Sequence, residues 1–439
     1  MRLTPPVRAS RAEEDGPAGS GRTALVAVGT GLAVYGLATY GYLAFAGRGL
    51  SAVDFTPLSV MWTLLNAVGI GLFVPFEQVL ARATAGARAA GVENQRAAAH
   101  AVRGAGLVVL AVVAVGLAAA RPIATHLFAG RVSLVLLLVA AMAVMAGSYL
   151  VRGLLSGNGH FTRYGWQLGL DGVLRAAAAS VLWVAGVRTP EAYAAILVLA
   201  PLAAMAATTP RPGRLLVPGR PARVAQPAVA LVALVAASGL SQVLANAGPI
   251  VVQLLAGPGE STAAGRFTAV LVVARIPLFA FAAVQAVLLP GLAAMVGAGD
   301  AEGLRRRVRT AAVWTGVAGI VGTIGLWALG PVLVPWLFGS SFAAARGVVT
   351  LVAASGAAFM LAQVAAQVLL SLNGERRLVV GWGAGLVALV VTCAWPAPID
   401  IRAATALLVG CVVALVAVAG YAWHGTRRWS AGQVSGGDA

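Results

Sequence analysis

The chain has 439 residues, of which 60% are hydrophobic and only 10% charged, and its mean hydropathy is +0.89. A soluble domain of this length cannot bury so much apolar surface, so the composition excludes an ordinary soluble protein and indicates an integral membrane protein. The net charge is +17, but the 31 basic residues are all arginines that lie mainly in short segments between apolar runs. This distribution does not indicate nucleic-acid binding, and the two cysteines form neither a disulfide nor a zinc pattern.

Twelve apolar runs predict an all-α integral membrane protein, because a spanning helix requires about 20 mostly apolar residues. The runs lie near residues 24–46, 56–80, 104–125, 132–155, 165–187, 190–208, 228–256, 264–290, 310–336, 347–371, 378–396 and 402–424. We expect residues 1–22 to form a disordered tail, residues 209–226 to form a basic linker and residues 426–439 to form a second tail. The expected organisation is an N-terminal six-helix lobe over 23–208 and a C-terminal six-helix lobe over 227–425.

Short sequence matches recur between the two halves at nearly constant separations. Phe55-Thr56 returns as Phe267-Thr268, Pro75 as Pro290, RPIATHLFAG (121–130) as GPVLVPWLFG (330–339), and LLSGNG (154–159) as LLSLNG (369–374), with shifts of 212, 215, 209 and 215 residues. A near-constant shift indicates a duplication. Because each copy has an even number of helices, the two halves are expected to run parallel, an arrangement typical of transporters.

The arginines alternate between the two sides of the predicted membrane. With the N-terminus inside, 22 arginines fall in inner loops and helix ends and seven in outer ones, while Arg175 and Arg275 lie deep within spans. The positive-inside rule therefore predicts that both termini and the linker are cytoplasmic.

Arg275 is the sharpest candidate for a functional residue, since ionisable groups at membrane depth cost about 2.5–3.5 kcal/mol each and commonly mark a transport pathway. It lies about eleven residues into the predicted eighth span, near the midplane, and no acid lies three or four residues away. We expect it to face a central cavity and to bind a phosphate or pyrophosphate group bidentately. The structural alternative is an ion pair with an acid on another helix.

Glu77 lies in the predicted second span, and Asn66, eleven residues earlier, is expected on the same helical face. The carboxylate predicts a proton or cation site, or a partner for Arg275 on the opposite lobe. The alternative is an interfacial carboxylate bonded to Gln78 or to nearby inner arginines. Asp171 and Arg175 are spaced to neutralise each other along one helix.

Amide side chains follow the predicted seventh and eighth spans. Asn246 and Gln253 form a polar stripe with Gln242, whereas Gln285 shares a helix with Arg275 but not its face. Interhelical hydrogen bonds explain each stripe alone, yet together the second, seventh and eighth helices predict one shared hydrated cavity. The candidate substrate-binding residues are therefore Arg275, Glu77, Asn66, Asn246, Gln253 and Gln285, and no catalytic or metal site is expected.

Four segments resemble those of the polysaccharide transport flippases, a family of the multidrug, oligosaccharidyl-lipid and polysaccharide (MOP) exporter superfamily. They are AGRGLSAVDFTPLS (46–59), LAGPGESTAAGRFTA (255–269), AVLLPGLAAM (286–295) and GPVLVPWLFGSSF (330–342). The resemblance implies a MATE-like fold, a V-shaped pair of six-helix bundles that alternates between inward-open and outward-open forms. Twelve helices and one cavity arginine depart from the peptidoglycan-precursor flippases, and the absence of an acid in 24–46 departs from the multidrug antiporters.

The resulting expectation is a transporter without enzymatic activity or cofactor, in the bacterial cytoplasmic membrane. It would flip an undecaprenyl-pyrophosphate-linked oligosaccharide for surface polysaccharide assembly, with Arg275 at the pyrophosphate and Glu77 coupled to a proton or cation. Its partners would be membrane lipid and this lipid-linked substrate. The alternatives are a gradient-driven drug or metabolite antiporter and a peptidoglycan-precursor flippase. A membrane glycosyltransferase, polymerase or ligase is disfavoured because the outer loops are short and contain few acids.

Overall fold

The computed structural model describes residues 17–210, 215, 216, 228–257, 260, 262–275, 281, 288, 292, 295–372 and 374–435. Its N-terminal lobe consists of α1 (Pro17–Gly49), α2 (Ala52–Leu64), α3 (Ile70–Ala90), α4 (Gln95–Ala118), α5 (Ala120–Leu127), α6 (Val132–Gly157), α7 (Phe161–Val184) and α8 (Pro190–Thr208). A π turn, Leu65–Gly69, joins α2 to α3. The C-terminal lobe consists of α9 (Ala228–Leu255), α10 (Ala263–Ala274), α11 (Ala301–Phe338), a 3-10 turn (Ser340–Phe342), α12 (Arg346–Ser371), α13 (Glu375–Thr392) and α14 (Ile399–Ser435).

In the described part of the chain, nine helices are long and apolar enough to cross a membrane. The other three predicted spans contain α7, α10 and α13. Asp171 and Arg175 lower the hydropathy of α7, charged residues begin α13, and α10 is only 12 residues long because most of the rest of the predicted eighth span lies outside the described residues. The predicted class, an all-α integral membrane protein, is confirmed.

Two helices extend beyond the predicted spans. Helix α1 begins at Pro17, inside the segment predicted as a disordered tail, and α14 continues to Ser435, inside the second predicted tail. Arg22 in the first extension and Arg427 and Arg428 in the second place these added turns in the polar region. Residues 1–16 and most of the predicted linker lie outside the described residues.

Glycines allow the helices to approach closely within each lobe. A Cβ on Gly31 of α1 would lie 2.3 Å from the carbonyl oxygen of Gly165 on α7, and one on Gly385 of α13 would lie 2.7 Å from that of Gly410 on α14. Small residues at such crossings are typical of membrane helix packing, where van der Waals contact replaces the hydrophobic effect.

The two lobes meet along α2 and α3 on one side and α9 and α10 on the other. A Cβ on Gly71 would lie 2.7 Å from the Cα of Gly239, so the two backbones touch near the middle of the membrane. At the predicted outer end, the Phe55 ring lies 5.1 Å from Phe342 and 6.1 Å from Phe338. The lobe interface therefore runs from the middle of the membrane to its predicted outer side.

The repeated sequence segments occupy equivalent places in the two lobes. Thr56 on α2 and Thr268 on α10 each donate a hydrogen bond of 2.9 Å to the carbonyl four residues earlier, and the two helices pack against each other. LLSGNG ends α6, and the described part of LLSLNG ends α12. The duplicated pattern thus places α2 and α10 at the centre of the molecule as a related pair.

Candidate functional site

A buried polar cluster in the N-terminal lobe surrounds Glu77 on α3. Tyr164 Oη of α7 donates to Glu77 Oε1 at 2.8 Å, and Arg152 Nε of α6 lies 3.5 Å from Glu77 Oε2. The side chains of Arg152 and Glu77 are 10% and 15% exposed. The Arg152 guanidinium carbon also lies 3.9 Å from the centre of the Tyr149 ring, a cation–π contact.

Gly153 determines how these groups meet. A Cβ at this position would lie 2.8 Å from the carbonyl oxygen of Glu77, so a larger residue would force α6 away from α3. The close approach places the preceding residue, Arg152, beside Glu77. The sequence allowed Glu77 to bond to a nearby inner arginine or to pair with Arg275 on the opposite lobe. The structure shows the bond to Arg152, an inner arginine, whereas Arg275 bonds to Asn246.

Asp171 and Arg175 on α7 form the second charge pair of this lobe. Arg175 donates from Nε and Nη2 to the two carboxylate oxygens at 2.7 and 2.8 Å, a bidentate geometry. The side chain of Arg175 is 12% exposed and that of Asp171 is 11% exposed. The guanidinium carbon of Arg175 lies 5.4 Å from the centre of the Tyr35 ring. The predicted neutralisation within one helix is confirmed.

A cavity of about 40 Å³ lies between the two charge pairs. Polar side chains from the π turn, α6 and α7 line this cavity, among them Asn66, Ser148, Arg152, Asp171 and Arg175. The Ser148 Oγ and Arg152 Nε atoms are buried and make no hydrogen bond within the described part of the chain. A polar cavity of this size can hold water.

Asn66 belongs to the π turn and donates from Nδ2 to the Trp62 carbonyl at 2.8 Å. A π turn uses an i to i+5 bond and so changes the helical register. In a regular helix, the eleven-residue spacing would place Asn66 and Glu77 on one face. The π turn changes the register between them, so this expectation does not hold. Asn66 borders the cavity directly, whereas Glu77 reaches its edge through Arg152. Such turns are often found at functional sites.

In the C-terminal lobe, Arg275 lies at the C-terminal end of α10 and is half-buried. Its Nη1 donates to Asn246 Oδ1 on α9 at 2.8 Å, and its Nη2 donates to the Ala245 carbonyl. Within the described residues it forms no ion pair with an acid. Both partners are neutral dipoles, so the positive charge of Arg275 is oriented but not neutralised.

The surroundings of Arg275 differ from the expected cavity between the halves. It borders a space of about 20 Å³ inside the C-terminal lobe, between α9, α10, α12 and α14, with Ser355 and Cys411 among the lining residues. Tyr40 of α1 is close enough to interact electrostatically with it, which places Arg275 near the boundary between the lobes. Within the described part of the chain, this space and the N-terminal cavity have no lining residue in common.

Of the two remaining candidates, Gln253 lies in the described part of the chain, at the lobe boundary. Gln253 Nε2 donates to the His126 carbonyl at 3.3 Å, which links α9 to α5 of the opposite lobe. Gln285 lies outside the described residues. Of the six predicted residues, the structure therefore brings Arg275 and Asn246 into contact, places Glu77 and Asn66 in the other lobe, and uses Gln253 as a bond between lobes.

Arg152 and its aromatic neighbours were missed as site residues in the sequence. The positive-inside count treated Arg152 as one of many arginines at inner helix ends. Its signal was its position in LVRGLLSG, more than one helical turn before the end of α6 at Gly157, where an arginine is still surrounded by apolar residues. Tyr149, three residues earlier, falls on the same helical side.

Neither a protein-family model nor a curated protein matches this sequence. Solved structures do. The chain is 15% identical to a MATE transporter of Vibrio cholerae, with a TM-score of 0.65 over 93% of this chain and 97% of that one. The inward-facing form of a multidrug resistance MATE family transporter of the MOP superfamily is 13% identical, with a TM-score of 0.67 over 93% and 98%. An outward-facing form is also 13% identical, with a TM-score of 0.64 over 94% and 97%.

These comparisons define the class of fold. The chain is a multi-pass membrane protein with the fold of the MATE transporters. At 13–15% identity the likeness concerns the fold alone.

Proposed function

We propose that this protein is a secondary transporter that works by alternating access of its two lobes, and that it exchanges an organic solute, a drug or metabolite, against a proton or cation gradient. The observation that supports this most strongly is the similar agreement of its fold with an inward-facing and an outward-facing MATE transporter. A fold that both states share is suited to a rigid-body movement of one lobe against the other. The proposal includes no enzymatic step.

The contacts between the lobes support a form that is closed at the predicted outer end. Phe55 packs against Phe338 and Phe342 there, and Arg48 Nε donates to the Leu337 carbonyl at 3.0 Å. The aromatic group and this hydrogen bond both join the N-terminal lobe to the end of α11. Opening the outer side requires that they separate, so we assign them to the outer gate.

The Glu77 cluster is suited to energy coupling. A proton on Glu77 would cancel the charge that attracts Arg152, and a cation bound to the Glu77 carboxylate would compete with Arg152 for it. Either event would release Arg152 from α3 and weaken the contact of α6 with a helix that also forms the lobe interface. Glu77 is thus proposed as the coupling residue, with Asn66 bordering the adjacent cavity.

Flipping of a lipid-linked oligosaccharide is the second candidate function, and Arg275 is the observation that favours it. The membrane-depth acids Glu77 and Asp171 are each bound to an arginine, whereas Arg275 has only neutral hydrogen-bond partners in the described structure. A site with an un-neutralised guanidinium favours an anionic group such as pyrophosphate. We propose that any anionic part of the substrate binds here.

Transport by the purified protein in proteoliposomes tests both candidates. Solute exchange that requires an imposed proton or sodium gradient, measured over a panel of organic cations and anions, supports the antiporter. Translocation of a pyrophosphoryl-linked oligosaccharide, measured by its accessibility to an added enzyme outside the vesicle, supports the flippase instead. If neither substrate class moves faster than in protein-free vesicles under any gradient, the proposal is wrong.

The proposed location is the bacterial cytoplasmic membrane with both termini cytoplasmic. The alternating arginines support it, because 22 lie at one side and seven at the other. Reporter fusions at Arg188 and Glu260 should report the outside, and a fusion at Arg214 the inside. The reverse pattern would contradict the orientation.

A further inference from the structure

A groove lies in the C-terminal lobe, at the end that the arginine distribution predicts to be cytoplasmic. Helices α11 and α14 form its walls and α12 its floor, and its volume is about 620 Å³. Most of its lining is apolar, contributed by residues such as Val308, Ala312, Val364, Val368, Ala419 and Trp423. This volume lies within the range of small-ligand sites. The groove is separate from both charge clusters described above.

Three arginines border one end of the groove. Arg305 and Arg309 stand on α11, and Arg427 stands on α14. Arg305 Nη2 donates to Ser430 Oγ at 3.2 Å, across the space between the two helices. The Arg427 guanidinium carbon lies 4.6 Å from the centre of the Trp423 ring. The end of the groove thus combines cationic groups with an aromatic ring at the position of a membrane interface.

The charges at this end are not neutralised by neighbouring acids. Asp300 accepts a hydrogen bond from the backbone of Gly303 as the N-cap of α11. Glu302 borders a neighbouring surface pocket together with Arg305 and Arg309, so one acid lies near these arginines. Within the described residues, the three arginines form no ion pair with either acid. The mouth of the groove therefore presents a net positive charge.

We propose that this groove binds an anionic phospholipid of the surrounding leaflet. The headgroup phosphate would lie among Arg305, Arg309 and Arg427, and an acyl chain would lie along the apolar floor formed by α12. Charge complementarity identifies the headgroup as anionic, because basic pockets between membrane helices favour such lipids. The apolar length of the groove identifies the ligand as a lipid and not a free phosphate, which would leave that surface uncovered. The exposed side of Trp423 is suited to the interfacial region.

Native mass spectrometry of the full-length protein, titrated in detergent with phosphatidylglycerol or phosphatidylcholine, tests the proposal. The parent should retain phosphatidylglycerol more strongly than phosphatidylcholine. The triple variant R305Q, R309Q and R427Q should bind phosphatidylglycerol roughly a hundredfold more weakly, since each of the three arginines near an anionic surface contributes roughly fivefold. These side chains lie at the surface, so the variant should fold, and its elution on size-exclusion chromatography checks this.

The matched control replaces three exposed arginines at the same membrane end, as R82Q, R103Q and R376Q, which removes the same total charge. It should change phosphatidylglycerol affinity by less than about threefold. A second variant, Ala419→Phe, fills the groove without changing its charge and should also weaken phosphatidylglycerol binding. An equal loss in the control, unchanged binding in Ala419→Phe, or equal retention of both lipids in the parent would each overturn the assignment. None of these measurements depends on transport.

Discussion

The two lobes share a duplicated fold but treat buried charge in different ways. In the N-terminal lobe each buried acid is bound to an arginine, Glu77 to Arg152 and Asp171 to Arg175. In the C-terminal lobe Arg275 is held by the Asn246 amide and by a backbone carbonyl. The two charges of an ion pair inside a membrane neutralise each other. A charge that is held only by dipoles still attracts a ligand of opposite sign. The comparison suggests that one lobe responds to ions and the other binds the substrate.

Removal of one member of the bidentate pair should have the largest effect on stability. Asp171→Asn preserves the shape of the side chain but leaves Arg175 buried without a counter-charge. We expect a loss of about 3–5 kcal/mol in the free energy of unfolding. It should be visible as a marked fall in the Tm of the detergent-solubilised protein.

Two controls accompany this measurement. The double variant Asp171→Leu with Arg175→Leu removes both charges and should lie near the parent in stability, because no unpaired charge remains. Glu93→Gln breaks the exposed pair with Arg96, whose side chain is 61% exposed, and should change the Tm little. An unchanged Tm in Asp171→Asn would show that the charge pair does not stabilise α7.

Loss of the C-terminal charge should mainly affect transport. Arg275→Ala removes the group that we assign to the anionic part of the substrate. We expect a loss of about 2–3 kcal/mol in binding, roughly 30- to 150-fold in transport efficiency. Arg275→Lys keeps the charge but loses the planar fork, so it should recover only part of the activity.

The proteoliposome assay measures these effects, with Arg188→Ala as the control because Arg188 is exposed and lies in the loop between α7 and α8, outside both clusters. Variant and parent must insert in equal amounts for the comparison. Full transport of every substrate by Arg275→Ala would remove Arg275 from the site and leave the proposal for the N-terminal lobe intact.

Glu77→Gln tests whether the N-terminal lobe responds to ions. The amide oxygen can still accept from Tyr164 Oη, but the attraction to Arg152 is lost. The cost should be smaller than for Asp171→Asn, about 1–2 kcal/mol, because Arg152 keeps its Tyr149 contact and borders a polar cavity. Transport should persist at a reduced rate and no longer respond to the imposed gradient.

Tyr164→Phe separates the two contacts of Glu77. It removes the hydrogen bond of 2.8 Å but keeps the ion pair, so the gradient response should remain. If Glu77→Gln responds to the gradient as the parent does, the coupling site lies elsewhere.

The smallest effect is expected from a variant that gives Arg275 a carboxylate partner, as the buried arginines of the N-terminal lobe already have. Asn246→Asp places a carboxylate at the atom that now lies 2.8 Å from Arg275 Nη1. The new ion pair should leave the Tm equal or higher and should reduce transport of anionic substrates about fivefold, or about 1 kcal/mol. Gln253→Glu adds the same charge to α9 at the lobe boundary, away from Arg275, and should not reproduce the loss. Faster transport of anions by Asn246→Asp would contradict the role of the free charge.

The sequence by itself determined the membrane class, the apolar runs and the duplication. These properties depend on local composition: a run of about 20 apolar residues predicts a spanning helix wherever it packs. Residues four apart on one helix are neighbours in any fold, so the Asp171–Arg175 pair was also predictable. Arg275 could be recognised as a costly charge near the midplane for the same reason.

Only the tertiary structure decided which partners the other charges have. Arg152 reaches Glu77 because Gly153 allows α6 to touch α3, and no spacing along either helix specifies that contact. Asn246 contacts Arg275 because α9 and α10 pack against each other. The π turn at Asn66 likewise changes a register that a regular helix would have kept. Interhelical contacts depend on backbone approach over distances that the periodicity of a helix does not encode.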